Sequence, residues 1–140
     1  MATPMEIFSR LPADILNVTL EQAREVVAED CVIHEAANLP GIGRDWVGPE
    51  GFVGLMRAIA ATYPNFAPAL DALLTNDTDA LVVKARISAD LPAGRFDIPL
   101  LEYWTFRDGK AVDILPVWHD AKLVHDLWAA SQPAPLTIAS

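Results

Sequence analysis

The stretch from Phe96 to Asp120, FDIPLLEYWTFRDGKAVDILPVWHD, constrains the fold more than any other part of the chain. Two apolar runs flank Asp108-Gly109. A two-residue type I′ turn needs positive φ at both central positions, and Asp-Gly meets that demand at low steric cost. The pattern therefore predicts a β-hairpin, with Phe96–Arg107 as one strand and Lys110–Trp118 as the return. Alternation along the first strand puts Ile98, Leu100, Glu102, Trp104 and Phe106 on one face. Asp97, Pro99, Leu101, Tyr103 and Thr105 take the other. Glu102 thus stands in the middle of an apolar face, where a carboxylate is costly unless it is protonated, paired or used in chemistry. Two placements are open for it: lining a pocket, or turned to solvent and paired with Arg86 or Arg95.

The remaining elements read as helices first and strands later. Residues 1–18 fit a short helix interrupted near Pro12. Thr19-Leu-Glu-Gln22 is a capping-box pattern for a second helix, with Leu20, Ala23, Val26 and Val27 as its buried stripe and an end near Glu29-Asp30. Cys31 to Ala37 is a short strand with Cys31, Ile33 and Glu35 on one face and Val32, His34 and Ala36 on the other. Asn38 to Gly48, with its Pro and Gly residues, is a loop. Pro49 suits the first position of a helix whose stripe is Phe52, Leu55, Met56, Ile59 and Ala60. Phe66–Leu74 and Ala80–Ala89 are strands about an Asn76–Asp79 turn. Asp120 opens a last helix with Leu123, Val124, Leu127 and Trp128 inward. The order predicts an α+β fold: a cone-shaped, curved, mainly antiparallel sheet with the N-terminal helices over its concave face. One domain is expected over residues 1–131, and a loose tail over 132–140.

Composition narrows the partners. A net charge of −9 argues against nucleic acid, whose phosphates require a basic surface. No run is long and apolar enough to span a membrane, and no signal-peptide pattern begins the chain. The single cysteine, Cys31, suits a reducing cytoplasm and reads as a small buried hydrophobe. No phosphate-binding glycine loop or close Cys/His cluster appears, so neither a metal nor another cofactor is expected. The partner expected is a small apolar molecule. A second copy of the chain is also expected, since Leu101 and Tyr103 on the outer sheet face are apolar enough to favour a homodimer.

The order of elements, the HEAANLPGIGRDWVGPEGF segment and the EYWTFRDGK hairpin resemble the nuclear transport factor 2-like superfamily. Its SnoaL-like and ketosteroid-isomerase-like branch is the most similar, over roughly residues 5–130. The resemblance implies a cystatin-like α+β barrel. It also implies one of several activities, because the fold hosts isomerases, cyclases, dehydratases, epoxide hydrolases and binding modules. AEDCVIHEA, residues 28–36, is similar to the isomerase segment ending in the catalytic base, which falls on Glu35. LEYWTF, residues 101–106, is similar to the isomerase strand that holds a protonated carboxylic acid, which falls on Glu102. The isomerase tyrosine has no counterpart on the first helix, where Phe8 and Leu11 stand. The epoxide hydrolases use an Arg and an Asp two apart; Lys84 and Arg86 occupy those places.

Two carboxyls in one apolar pocket split their titrations, one ionised and one protonated. The first is suited to take a proton from carbon beside a carbonyl, and the second to donate a hydrogen bond to the developing enolate oxygen. Further catalytic candidates are Asp120, otherwise a helix N-cap, with a catalytic counterpart implied by the SnoaL-like resemblance; His34, otherwise a surface or interface histidine; and His119, at the pocket rim or outside it. Trp104, Phe106 and Trp118 are core residues that also suit a ligand wall, joined by Phe52 and Met56 from the helix stripe. Trp46 sits on the loop as a candidate lid, and Tyr63 as a candidate source of the missing phenol.

Overall fold

The computed structural model describes residues 2–133. The expected tail over 132–140 therefore lies outside the described residues but for its first two. The elements are α1 (Pro4–Phe8), a 3-10 turn (Ile15–Asn17), α2 (Leu20–Arg24), β1 (Val27–His34), β2 (Asp45–Val47), α3 (Gly48–Thr62), β3 (Ala67–Thr75), β4 (Ala80–Leu91), β5 (Gly94–Arg107), β6 (Lys110–Trp118) and α4 (Ala121–Ala130). The strands form one sheet in the order β2-β1-β6-β5-β4-β3. β1 runs parallel to β6, and every other pairing is antiparallel. The result is a curved, unclosed α+β sheet, as the sequence predicts.

The long hairpin closes through Asp108 (φ 53°) and Gly109 (φ 79°), the two positive φ values that a type I′ turn requires. Register shifts interrupt the ladders between Val27 and Val32, between Leu70 and Ala72, and between Thr105 and Phe106. Such irregularities bend strands and increase twist, which curls the sheet around its inner face. The helix α3 fills that concavity with buried Phe52, Leu55 and Ile59. Among the described residues no helix is long and apolar enough to cross a membrane.

Several features differ from the sequence reading, among them the first strand, which spans Val27–His34 and not Cys31–Ala37. The Thr19 capping box forms: Gln22 N–H donates to Thr19 Oγ1 at 3.1 Å, and Thr19 N–H to Gln22 Oε1 at 3.0 Å. Yet α2 ends at Arg24, and Val27 already pairs with Ala111 in the parallel ladder. The buried valines serve the sheet instead of a helix stripe, which suits their β-branched side chains. The 38–48 loop contains β2, whose three residues pair with Val32, Ile33 and His34. In α4, Val124 is buried but Leu123 is exposed.

Candidate active site

A cavity of 360 Å³ opens between the concave sheet face, α3 and the N-terminal segment. The sheet supplies inward-pointing residues of β1, β3, β4, β5 and β6, including Ile33, Val83, Leu100, Trp104, Ile114 and Trp118. From α3 come Phe52, Leu55, Met56 and Ile59, and from the N-terminal segment Phe8, Leu11 and Leu16. Among the described residues Glu35 and Glu102 are the titratable members of this wall, and no Lys, Arg or His lines it.

Glu35 follows directly on β1. Strand parity turns it inward with Cys31 and Ile33, and its N–H donates to Arg44 O at 3.3 Å. Glu35 is 6% exposed, and its Oε1 is buried with no hydrogen-bond partner among the described residues. Burial raises its carboxyl to about 8, the neighbouring Glu102 charge pushes the same way, and the Trp118 indole opposes. Glu102 comes from mid-β5, between Val83 on β4 and Pro116 on β6. Trp104 Nε1–H donates to Glu102 Oε1 at 3.1 Å. Burial raises the Glu102 carboxyl too, against that indole hydrogen bond. Glu102 is only half-buried by accessible surface, but it lines the cavity, so what it exposes faces an apolar interior. Of the two placements open in the sequence, the cavity is the one found. Arg86 pairs with Asp97 and Arg95 with Asp90, both at 3.0 Å, leaving Glu102 unclaimed by either.

The structure thus brings Glu35, Glu102, Trp104, Trp118, Phe52 and Met56 to one cavity. It separates the other candidates from it. His34 points to the outer face, where Nδ1 meets Asp45 at 3.1 Å and Nε2 meets Asp113 at 2.8 Å. Chiefly through the Asp113 hydrogen bond, its pKa is raised. Asp120 is exposed and caps α4, accepting from Leu123 N–H at 3.1 Å. His119 beside it is exposed as well, with its N–H bonded to Pro99 O. Phe106 lies one layer behind the cavity, stacked on Trp104 with centroids 6.1 Å apart.

Trp46 is not a lid. It is 8% exposed, its Nε1–H donates to Ile42 O at 2.9 Å, and Arg44 covers its ring. It packs on α3 where Gly51 and Gly54 leave room; a Cβ on Gly54 would stand 3.3 Å from the ring. Tyr63 is fully buried behind Trp118 and Phe96. Its hydroxyl donates to Pro40 O at 2.7 Å, so the phenol is already used within the fold. Burial and then the Glu35 charge raise its pKa. Cys31 is also sealed in: burial, with the Asp113 and Asp30 charges, pushes its thiol up to about 12. Among the described residues no three His, Cys, Asp or Glu side chains come together to hold a metal ion.

The sequence reading missed Phe66, Pro68 and Leu70, which line the cavity from β3 and its approach. Leu70 sits just before the register shift at Leu70/Ala72, so simple alternation along the strand does not locate it.

A family model described as SnoaL-like domain matches residues 14–114. No curated protein matches the chain. Among solved structures, an NTF2-like protein from Burkholderia thailandensis is 22% identical, with a TM-score of 0.78 over 95% of this chain and 100% of that one. IdmH from Streptomyces antibioticus, a proposed polyketide cyclase, is 19% identical with a TM-score of 0.68, covering 91% and 98%. A proposed SnoaL-like polyketide cyclase from Jannaschia sp. CCS1 is 17% identical with a TM-score of 0.69, covering 94% and 93%.

Proposed function

The chain belongs to the SnoaL-like domain family, and from that premise we propose that its cavity performs general acid–base chemistry on a small, largely apolar carbonyl compound. The reading rests on one observation: two carboxyls, both raised by burial, line one apolar cavity, Glu102 from within β5 and Glu35 from the position directly after β1. Anchorage at the sheet holds the two groups at fixed heights over one ligand.

Glu102 is the proton holder. With Oε1 occupied by the Trp104 indole, Oε2 carries the proton and donates to the carbonyl oxygen of the ligand. Glu35 is the base. Part of its rise to about 8 comes from a charged Glu102. Burial is the larger cause of that rise, and it makes the Glu35 carboxylate a stronger base than an ordinary solvated one. Glu35 takes a proton from the carbon beside the carbonyl, and the enolate oxygen is stabilised by the Glu102 hydrogen bond. Isomerisation or cyclisation follows from that enolate. The proposed cyclase relatives support the cyclisation branch. Dehydration of the same ligand class is the second reading, since β-elimination begins with the same proton transfer.

We further propose a homodimer through the outer sheet face. Leu101 lies opposite Val117, and Tyr103 opposite Leu115, all four close to half exposed. Contiguous apolar surface of this kind marks an interaction site.

The deciding assay is solvent-deuterium exchange at the acidic carbon across a panel of cyclic ketones and enones. The protein should catalyse exchange, and Glu35→Gln should lower it by about 10²–10⁴-fold. Glu102→Leu should lose more than Glu102→Gln, which keeps a donor. Loss confined to Glu102→Gln would reverse the two roles. No exchange across the panel would favour a non-catalytic binding module.

A further inference from the structure

The cavity contains acid without compensating base. Among the described residues Glu35 and Glu102 are its titratable groups, and no Lys, Arg or His lines it. Glu35 is 6% exposed, and its Oε1 is buried without any donor among the described residues. A buried carboxylate oxygen left unpaired is expensive, and the cost is relieved by a ligand that brings its own donor. The wall around the pair is apolar and partly aromatic: Trp104 and Trp118 flank it, with Leu55 and Phe52 across the cavity on α3.

We propose that this cavity also selects hydrophobic amines, with the ammonium N–H groups directed at Glu35 and Glu102 and the hydrocarbon body against Trp104, Trp118 and the α3 stripe, and that it rejects carboxylates of the same shape. The inference rests on the proposed site, since it needs both carboxyls open to the same ligand. It adds a charge rule. Neutral carbonyl compounds enter, cations bind more tightly because they favour the ionised form of Glu35, and anions are disfavoured because they oppose that ionisation and find no basic partner among the described residues.

The charge rule carries a proton balance. The titratable groups facing Glu35 are Glu102 from β5 and the Tyr63 phenol from the end of α3, which is bonded to Pro40 O. His34 lies on the opposite sheet face. When an alkylammonium ion meets a protonated Glu35, it favours the carboxylate. The carboxyl proton leaves to the buffer, and the ammonium keeps its own. Affinity for the amine should therefore rise with pH through the range in which free Glu35 still holds its proton, whereas affinity for an uncharged analogue should not.

The probes are cyclohexylamine, cyclohexanol and cyclohexanecarboxylate, which share a ring and differ in charge. Binding to the full chain is measured by isothermal titration calorimetry at pH 6 and pH 7, in two buffers of different ionisation enthalpy. Cyclohexylamine should bind at least tenfold more tightly than cyclohexanol at pH 7. It should gain several-fold between pH 6 and pH 7 and release a fraction of a proton. The carboxylate should show no binding. Glu35→Gln and Glu102→Gln should each reduce the amine-to-alcohol ratio. An amine that binds no tighter than the alcohol, fails to bind, or shows no pH dependence overturns the proposal. If deuterium exchange on ketones persists alongside such a result, the acid–base reading stands and the amine selectivity alone is lost.

Discussion

Replacing Glu35 by glutamine should stabilise the protein at neutral pH and do almost nothing in acid. In the unfolded chain the carboxyl ionises above its ordinary 4.5, whereas in the fold it keeps its proton to about 8. A group with a raised carboxyl pKa lets the unfolded state shed a proton that the folded state retains, so folding stability falls as pH rises between the two values. Each tenfold in acid strength corresponds to about 1.4 kcal/mol. From 4.5 to pH 7 the penalty grows to about 3 kcal/mol, and it levels off near 5 kcal/mol above pH 8. These are upper figures, because Glu102 contributes part of the rise. Glutamine keeps the shape of the protonated acid and does not titrate. Urea unfolding followed by tryptophan fluorescence at pH 4, 5.5 and 7 checks this. The variant and the parent should coincide at pH 4, and the variant should lead by roughly 2–3 kcal/mol at pH 7. A difference independent of pH, or a less stable variant at pH 7, would refute the reasoning, since Glu35 would then be an ordinary solvated carboxylate.

The other predictions concern the frame around the site. Thr19→Ala removes the cap of α2 and should cost about 1 kcal/mol in the same urea assay. His34 has a raised pKa because it sits between Asp113 and Asp45. Its contribution is full below the unfolded imidazole value near 6.5 and is lost as pH rises through the folded value. The stability gap between the parent and His34→Asn should therefore narrow from pH 6 to pH 9; a gap that widens would contradict the double ion pair. Leu101→Asp should convert a dimer to a monomer in light scattering at micromolar concentration, and a monomeric parent would remove the proposed interface.

Much of this was legible in the chain because the signals were local. Asp108-Gly109 is a turn by its own φ demands, Thr19-x-x-Gln22 is a cap by its own hydrogen bonds, and period-two alternation puts Glu102 on the apolar face of its strand and Glu35 on the same face as Ile33. What was not legible depended on partners distant in sequence. Val26 and Val27 fit a helix stripe as well as a strand, and only the parallel ladder to Ala111 decides between them. The three residues of β2 are too few to show a period, so Trp46 read as a loop residue. Pairing with Ile33 and the glycine face of α3 make it a packed one. His34 and Glu35 are adjacent with opposite parity; alternation puts them on opposite faces without saying which face is the cavity's, and nothing local announces the Asp45 and Asp113 partners of His34. The phenol of Tyr63 read as a free group, because nothing local announces its bond to Pro40 O.

The central claim is that two glutamates share one apolar cavity and resist ionisation together. Carbon-13 NMR titration of the glutamate side-chain carboxyls, assigned through Glu35→Gln and Glu102→Gln, tests it most directly. The account predicts that both groups titrate above the ordinary carboxylate range, and that removing either one lowers the titration of the other. Two independent titrations near 4.5 would contradict it.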